Sequence, residues 1–172
     1  MGREVRRVPP NWQHPRQCGW DDGRLQPMFD QTFATAAAEW KAEFAKWEAG
    51  ERPDYCSEES AALQYWEWSG APPKREYYRP WEDDEATWFQ VWETVSEGTP
   101  VTPPFATTQE LADYLVENGD FWDQKRGDGG WLRDNAEKFV TAGWAPSFVV
   151  TASAAGAQVF EPRDGLTTAD RK

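Results

Sequence analysis

The chain has 172 residues, a formal charge of −12 and an aromatic fraction of 15%. That length suits one domain with a real core, and so many aromatics exclude a disordered chain, which is poor in them. No apolar run approaches the roughly 20 residues of a membrane span. The basic start runs into "VPPNWQHP" rather than an apolar stretch with a small-residue cleavage site, so neither export by that route nor a membrane span is expected.

"REVRRV" (3–8) spaces two valines with basic residues and stops at Pro9-Pro10, which predicts a short strand. Residues 11–28 are punctuated by Pro15, Gly19, Gly23 and Pro27 and read as an ordered loop. "DQTFATAAAEWKAEFAKWEAG" (30–50) predicts a helix capped by Asp30 and stopped by Gly50, with Phe33, Trp40, Phe44 and Trp47 as its apolar stripe. A second helix is predicted over 57–70, from an N-cap at Ser57 to Gly70, with Leu63 and Trp66 on its stripe. A third is predicted from about Trp81 to Ser96, with acids at its start and Trp88, Val91, Trp92 and Val95 buried.

"TTQELADYLVENG" carries a capping box, Thr107 with Glu110, and a stop at Gly119. A fifth helix is predicted at about 130–142 through Leu132, Ala136, Phe139 and Val140. "PSFVVTASAAGAQVFEP" reads as a β-hairpin, Phe148–Thr151 with Gln158–Glu161, expected to pair with "REVRRV". The expected fold is α+β: a single domain over 1–172, with about five helices around a small antiparallel sheet made of the N-terminal strand and the C-terminal hairpin. Residues 1–2 and 164–172 and the "KRGDGG" loop are expected to be flexible.

Charge is unevenly placed. Between Pro80 and Gln124 stand eleven acids and no Lys or Arg, whereas residues 1–29 hold five arginines against three acids. Ser-His-Asp or Cys-His catalysis would have to use His14, the only histidine, and no nucleophile signature surrounds it. His14, Cys18 and Cys56 lack the paired spacing of a zinc site, and "GDGG" lacks the Gly-Lys-Ser/Thr ending of a phosphate loop. No enzyme, metal or cofactor is expected. The two cysteines make no disulfide framework and are expected as free thiols.

Two constellations point to binding. In the first, Arg6, Arg7 and Arg16 contact phosphates, Trp12 or Trp20 stacks on a base, and Asn11 and His14 supply hydrogen bonds, framing a pocket for an anionic, base-containing ligand. The plainer alternative pairs these arginines internally with the many acids. In the second, Glu82, Asp83, Asp84 and Glu85, with the acids of the following helix, imitate the phosphates of DNA and dock on a basic protein. A solvated acidic surface that aids solubility is the plainer reading there.

The opening "GREVRRVPPNWQHPR", then "GRLQPMFDQTFATAAAEWKAEFAKWE" and "YCSEESAALQYWEWSG", resemble a widespread group of small uncharacterised bacteriophage and prophage proteins. That group shares a "GREVRRVP-x-x-W-x-HP" opening and a "P-x-(Y/F)-D" start to the long helix. The resemblance continues through "SEGTPVTPPFATTQELADYLVENG" and "GWAPSFVV" and departs at 120–130. It implies an accessory phage protein in the cytoplasm of the infected host, of a kind that often antagonises host defence. The expected function is therefore non-enzymatic sequestration of a nucleotide-derived immune signal. The alternative is inhibition of a basic host defence protein, such as a CRISPR effector or restriction enzyme. No membrane partner and no direct nucleic-acid binding are expected, and a homo-oligomer is compatible with either reading.

Overall fold

The computed structural model describes residues 2–17, 23–94, 97–146, 149–153, 156–160 and 163. In chain order its elements are β1 (Gly2–Val8), β2 (Phe29–Thr32), α1 (Phe33–Glu48), α2 (Glu58–Ala61), α3 (Tyr65–Trp68), a 3₁₀ turn (Arg75–Tyr77) and β3 (Tyr78–Arg79). There follow β4 (Trp88–Thr94), α4 (Thr108–Asn118), α5 (Phe121–Arg126), α6 (Arg133–Ala142), β5 (Trp144–Ala145), β6 (Val149–Ser153) and β7 (Gly156–Phe160). The fold is α+β, with an antiparallel sheet of order β4-β1-β5. Two compact units emerge. Met28–Pro80 forms one, and the chain before and after it forms the other.

In the larger unit β1 is the central strand. Arg3, Val5 and Arg7 lie opposite Glu93, Val91 and Phe89 of β4 on one face, and Glu4, Arg6 and Val8 lie opposite Trp92, Gln90 and Trp88 on the other. The outer edge of β4 is covered by residues 99–105, through bonds such as Val101 N to Val91 O (2.8 Å) and Phe105 N to Phe89 O (2.8 Å). One face carries the core of Val91, Val101, Leu111, Leu115, Trp131 and Phe139, supplied largely by α4 and α6.

The strand β4 stands where a helix over 81–96 was predicted. Gln90, Val91, Trp92 and Glu93 are all buried, so the segment shows no in–out alternation. A strand buried on both faces carries a continuous run that can also be read as a helical stripe. Cross-strand pairing with β1 decides it. The hairpin β6–β7 forms its own two-stranded sheet, and the described neighbours of β1 are β4 and β5 rather than that hairpin. Residues 164–172 lie outside the described residues, as do Phe148 and Glu161 of the predicted hairpin.

Local capping explains most helix boundaries. Thr107 and Glu110 form the reciprocal box predicted for α4. The helix α5, absent from the sequence reading, begins at a second box. The Asp120 carboxylate accepts from the Trp122 and Asp123 amides, while Asp123 accepts from the Asp120 amide. The start of α6 falls at Arg133, leaving Leu132 63% exposed instead of on the buried stripe with Ala136 and Phe139. At Gly98, φ is +74° and a Cβ would lie 2.7 Å from Glu93 O and 2.9 Å from Arg6 Nη2, so only glycine fits.

The unit of Met28–Pro80 is built on α1. Thr32, not Asp30, caps that helix, accepting from Thr35 N at 3.2 Å. Phe29–Thr32 is instead extended and pairs in parallel with β3. The predicted second helix is broken into α2 and α3, because Gln64 is extended (φ −69°, ψ 152°) and opens a new capping box with Glu67. The break buries Tyr65 and turns Trp66 outward, to 48% exposure, with Leu63 also exposed.

Burial of charge in the larger unit gives a direct test. Asp120 is 1% exposed and its carboxylate meets Arg3 Nε at 2.5 Å. Asp120→Ala removes the partner of Arg3 Nε and of two helix-start amides, and is expected to cost about 3–5 kcal/mol. Urea denaturation checks this, with an unchanged midpoint as the contrary result.

Candidate functional site

The opening stretch is woven into the sheet. Arg6 points inward from β1, 6% exposed, with Nε on Glu4 at 2.5 Å and Nη1 donating to Glu97 O at 3.2 Å. Its guanidinium lies 4.5 Å from the ring centroid of Trp92, a cation–π contact within the fold. Arg7 is exposed and lies 5.6 Å over Phe89. Arg16 is exposed at an isolated bridge to Leu25 and donates to Gly23 O.

After β1 the chain turns sharply, Trp12 N donating to Pro9 O at 3.1 Å with Asn11 at φ 56°. Asparagine tolerates that left-handed conformation better than most residues. Trp12 and His14 then enter a chain of edge-on rings. Trp12 meets Trp81 at 4.5 Å, and His14 meets Trp92 at 4.9 Å. The Trp12 Nε1–H donates to His14 Nδ1 at 3.2 Å, which fixes the tautomer: the proton sits on Nε2, and Nε2–H donates to Gln26 O at 2.7 Å. Burial lowers the pKa of His14, the bond to Gln26 O raises it, and the charge of Arg6 lowers it further. The net direction is down, and the ring is neutral at pH 7.

Arg6, Trp12 and His14 are therefore brought together, as packing partners on one face of the sheet. Arg7, Asn11 and Arg16 are exposed, Arg7 on the face of β1 opposite Arg6. Trp20 lies outside the described residues.

The four acids predicted at a helix start occupy a tight turn. Glu85 N donates to Glu82 O at 3.2 Å, and the Glu85 carboxylate accepts from Glu82 N at 2.8 Å. Buried Trp81 and Ala86 pin the turn on both sides, and Glu82, Asp83, Asp84 and Glu85 are all exposed. Of the remaining acids between Pro80 and Gln124, three are buried. Glu93 accepts from Trp122 Nε1, Asp120 pairs with Arg3, and Asp123 accepts from Trp131 Nε1 at 2.7 Å. Among the described residues no group of three or more His, Cys, Asp or Glu is placed to hold a metal ion.

Sequence reasoning missed a cavity of about 210 Å³ in the unit of Met28–Pro80. Its walls come from the last turns of α1 (Glu43, Trp47), the segment after it (Glu51, Arg52) and α3 (Tyr65, Trp68). Trp47 and Trp68 stack at 4.7 Å with 26° between their planes. The available signal was the trio Tyr65, Trp66 and Trp68, too closely spaced to share one helical face.

Neither family models nor the curated proteins nor the solved structures contain a match to this chain. No helix among the described residues is long and apolar enough to cross a membrane.

The lowered pKa of His14 gives stability a pH dependence of fixed sign. In the unfolded chain the imidazole binds a proton below its ordinary value of 6.5, while the folded ring resists protonation. Its contribution is complete above that value and is lost as pH falls through the lower folded pKa. A proton on Nδ1 also removes the acceptor of the Trp12 bond. Melting temperatures of wild type and His14→Gln are expected to diverge between pH 7.5 and 5, the wild type losing more on acidification. Parallel profiles would contradict this.

Proposed function

We propose that this is a non-enzymatic accessory protein of phage origin, acting in the cytoplasm of an infected bacterial host. It docks on the basic, nucleic-acid-binding surface of a defence protein. The observation carrying this reading is the presentation of Glu82, Asp83, Asp84 and Glu85, four successive exposed carboxylates on a turn clamped by Trp81 and Ala86. A clamped turn loses little conformational entropy on docking. A field of one sign speeds encounter with a positive surface and weakens with salt. Glu110 and Glu117 of α4 are likewise exposed.

A second reading, sequestration of a small nucleotide-derived signal, draws support from the exposed side chains of Arg7, Asn11 and Arg16 and from Asn11 and Arg16 sharing a loop with the half-buried Trp12. It has to do without Arg6, whose guanidinium is engaged with Glu4, Trp92 and the Glu97 carbonyl.

The two readings separate in one set of experiments. Replacing Glu82, Asp83, Asp84 and Glu85 together by lysine is expected to abolish capture of a basic host protein that duplex DNA competes off and salt elutes. Arg7→Ala with Trp12→Ala is expected to leave that capture intact. The opposite pattern, together with a melting shift from a mono- or cyclic nucleotide, would favour the signal-binding reading. A ligand at 100 times its Kd adds about 2.7 kcal/mol to stability, a readily measured shift.

A further inference from the structure

The cavity beside α1 brings aromatic rings and carboxylates together. Arg52 already places one guanidinium on an aromatic face there, its Cζ 3.8 Å from the ring centroid of Trp47. That guanidinium is held by backbone, Nη1 donating to Trp47 O at 2.6 Å and to Glu51 O at 2.9 Å, so it is a fixed part of the wall. Beyond it the aromatic column continues. Trp68 stacks on Trp47 at 4.7 Å, and Tyr55 lies over Trp68 at 6.2 Å with 26° between the planes.

The Tyr55–Trp68 spacing is wider than the Trp47–Trp68 stack, and Tyr55 is 81% exposed, so that face of Trp68 is covered only by a solvent-facing ring. Two carboxylates, Glu43 and Glu51, line the same cavity, together with Lys46. Lys46 holds Glu43 at 2.6 Å, but both partners are more than half exposed, and an i,i+3 surface pair of this kind yields readily to a better-placed cation.

We propose that this cavity binds a guanidinium group from outside the chain, stacked on Trp68 and paired with Glu43 or Glu51. The guanidinium fork matches a carboxylate, and its weak hydration and planarity suit an aromatic face. A chain of net charge −12 attracts such a cation. The same chemistry arises in free arginine and in an arginine side chain of a partner protein. This inference stands on the cavity alone and does not depend on the acidic turn.

The test is a titration of the full chain, followed by calorimetry and tryptophan fluorescence. The ligands are L-arginine, a blocked Gly-Arg-Gly tripeptide, L-citrulline and AMP. Citrulline keeps the shape of arginine and lacks its charge. Saturable binding of the arginine ligands is expected, with citrulline weaker by about tenfold or more. The combined Glu43→Gln and Glu51→Gln variant should lose a similar factor while its circular dichroism and melting temperature stay close to wild type. Binding of the tripeptide as well as arginine assigns the source to a protein partner, and binding of free arginine only assigns it to a small molecule. Equal affinity for citrulline, or saturation by AMP without arginine binding, overturns the proposal. Trp68→Leu should abolish the signal. If that variant fails to fold, the two Glu→Gln changes still decide, because both side chains are solvent-facing.

Discussion

A carboxylate buried as deeply as that of Asp120 needs hydrogen-bond partners for its oxygens, and one of them comes from the third residue of the chain. The Arg3–Asp120 contact spans 117 positions of sequence and ties the central strand β1 to the start of α5. The same carboxylate caps α5, so one group closes both an ion pair and a helix terminus. Around it Asp123 receives the Trp131 indole N–H and the Asp120 amide, and Glu93 receives the Trp122 indole N–H. Leaving any of these groups buried without a partner costs more than the contact itself is worth. The network therefore specifies how the sheet and the helices on its face fit together, more than it adds to stability.

This accounts for the odd charge distribution of the sequence. The basic entrance and the acidic middle partly neutralise one another inside the fold, Arg3 with Asp120, while Arg6 is held by Glu4 and the Glu97 carbonyl. Acids left over on the outside are concentrated in the turn at 82–85 and along α4. Internal pairing of the arginines, the plainer of the two readings of the opening stretch, describes Arg3 and Arg6. Arg7 and Arg16 retain exposed side chains.

What could be read from the sequence follows the range of the interactions concerned. The strand at 2–8, the helix at 107–118 and its capping box are set within a few residues and were legible. The strand β4 was not, because both its faces are covered, one by the helices and one by the ring chain of Trp12, His14 and Trp81, so its period is erased. The helix α5 carries a signal, Asp120 and Asp123 at capping-box spacing, with aspartate where glutamate is usual. Tryptophans sorted poorly by spacing. Trp81 and Trp131, off the predicted stripes, are buried, whereas Trp66, on one, is exposed. The cavity beside α1 draws on a helix end, a following loop and a separate short helix, a conjunction that only the folded chain displays.

The central claim is that Arg3 of the opening strand is engaged within the fold by Asp120. A double-mutant cycle of Arg3→Met and Asp120→Asn, followed by urea denaturation, tests it most directly, since asparagine keeps an acceptor for the α5 amides. The account predicts large single losses and a coupling energy of about 2–3 kcal/mol, with the double variant recovering much of the deficit. Losses that add to within about 0.5 kcal/mol would mean that the two charges do not depend on each other, and would contradict the account.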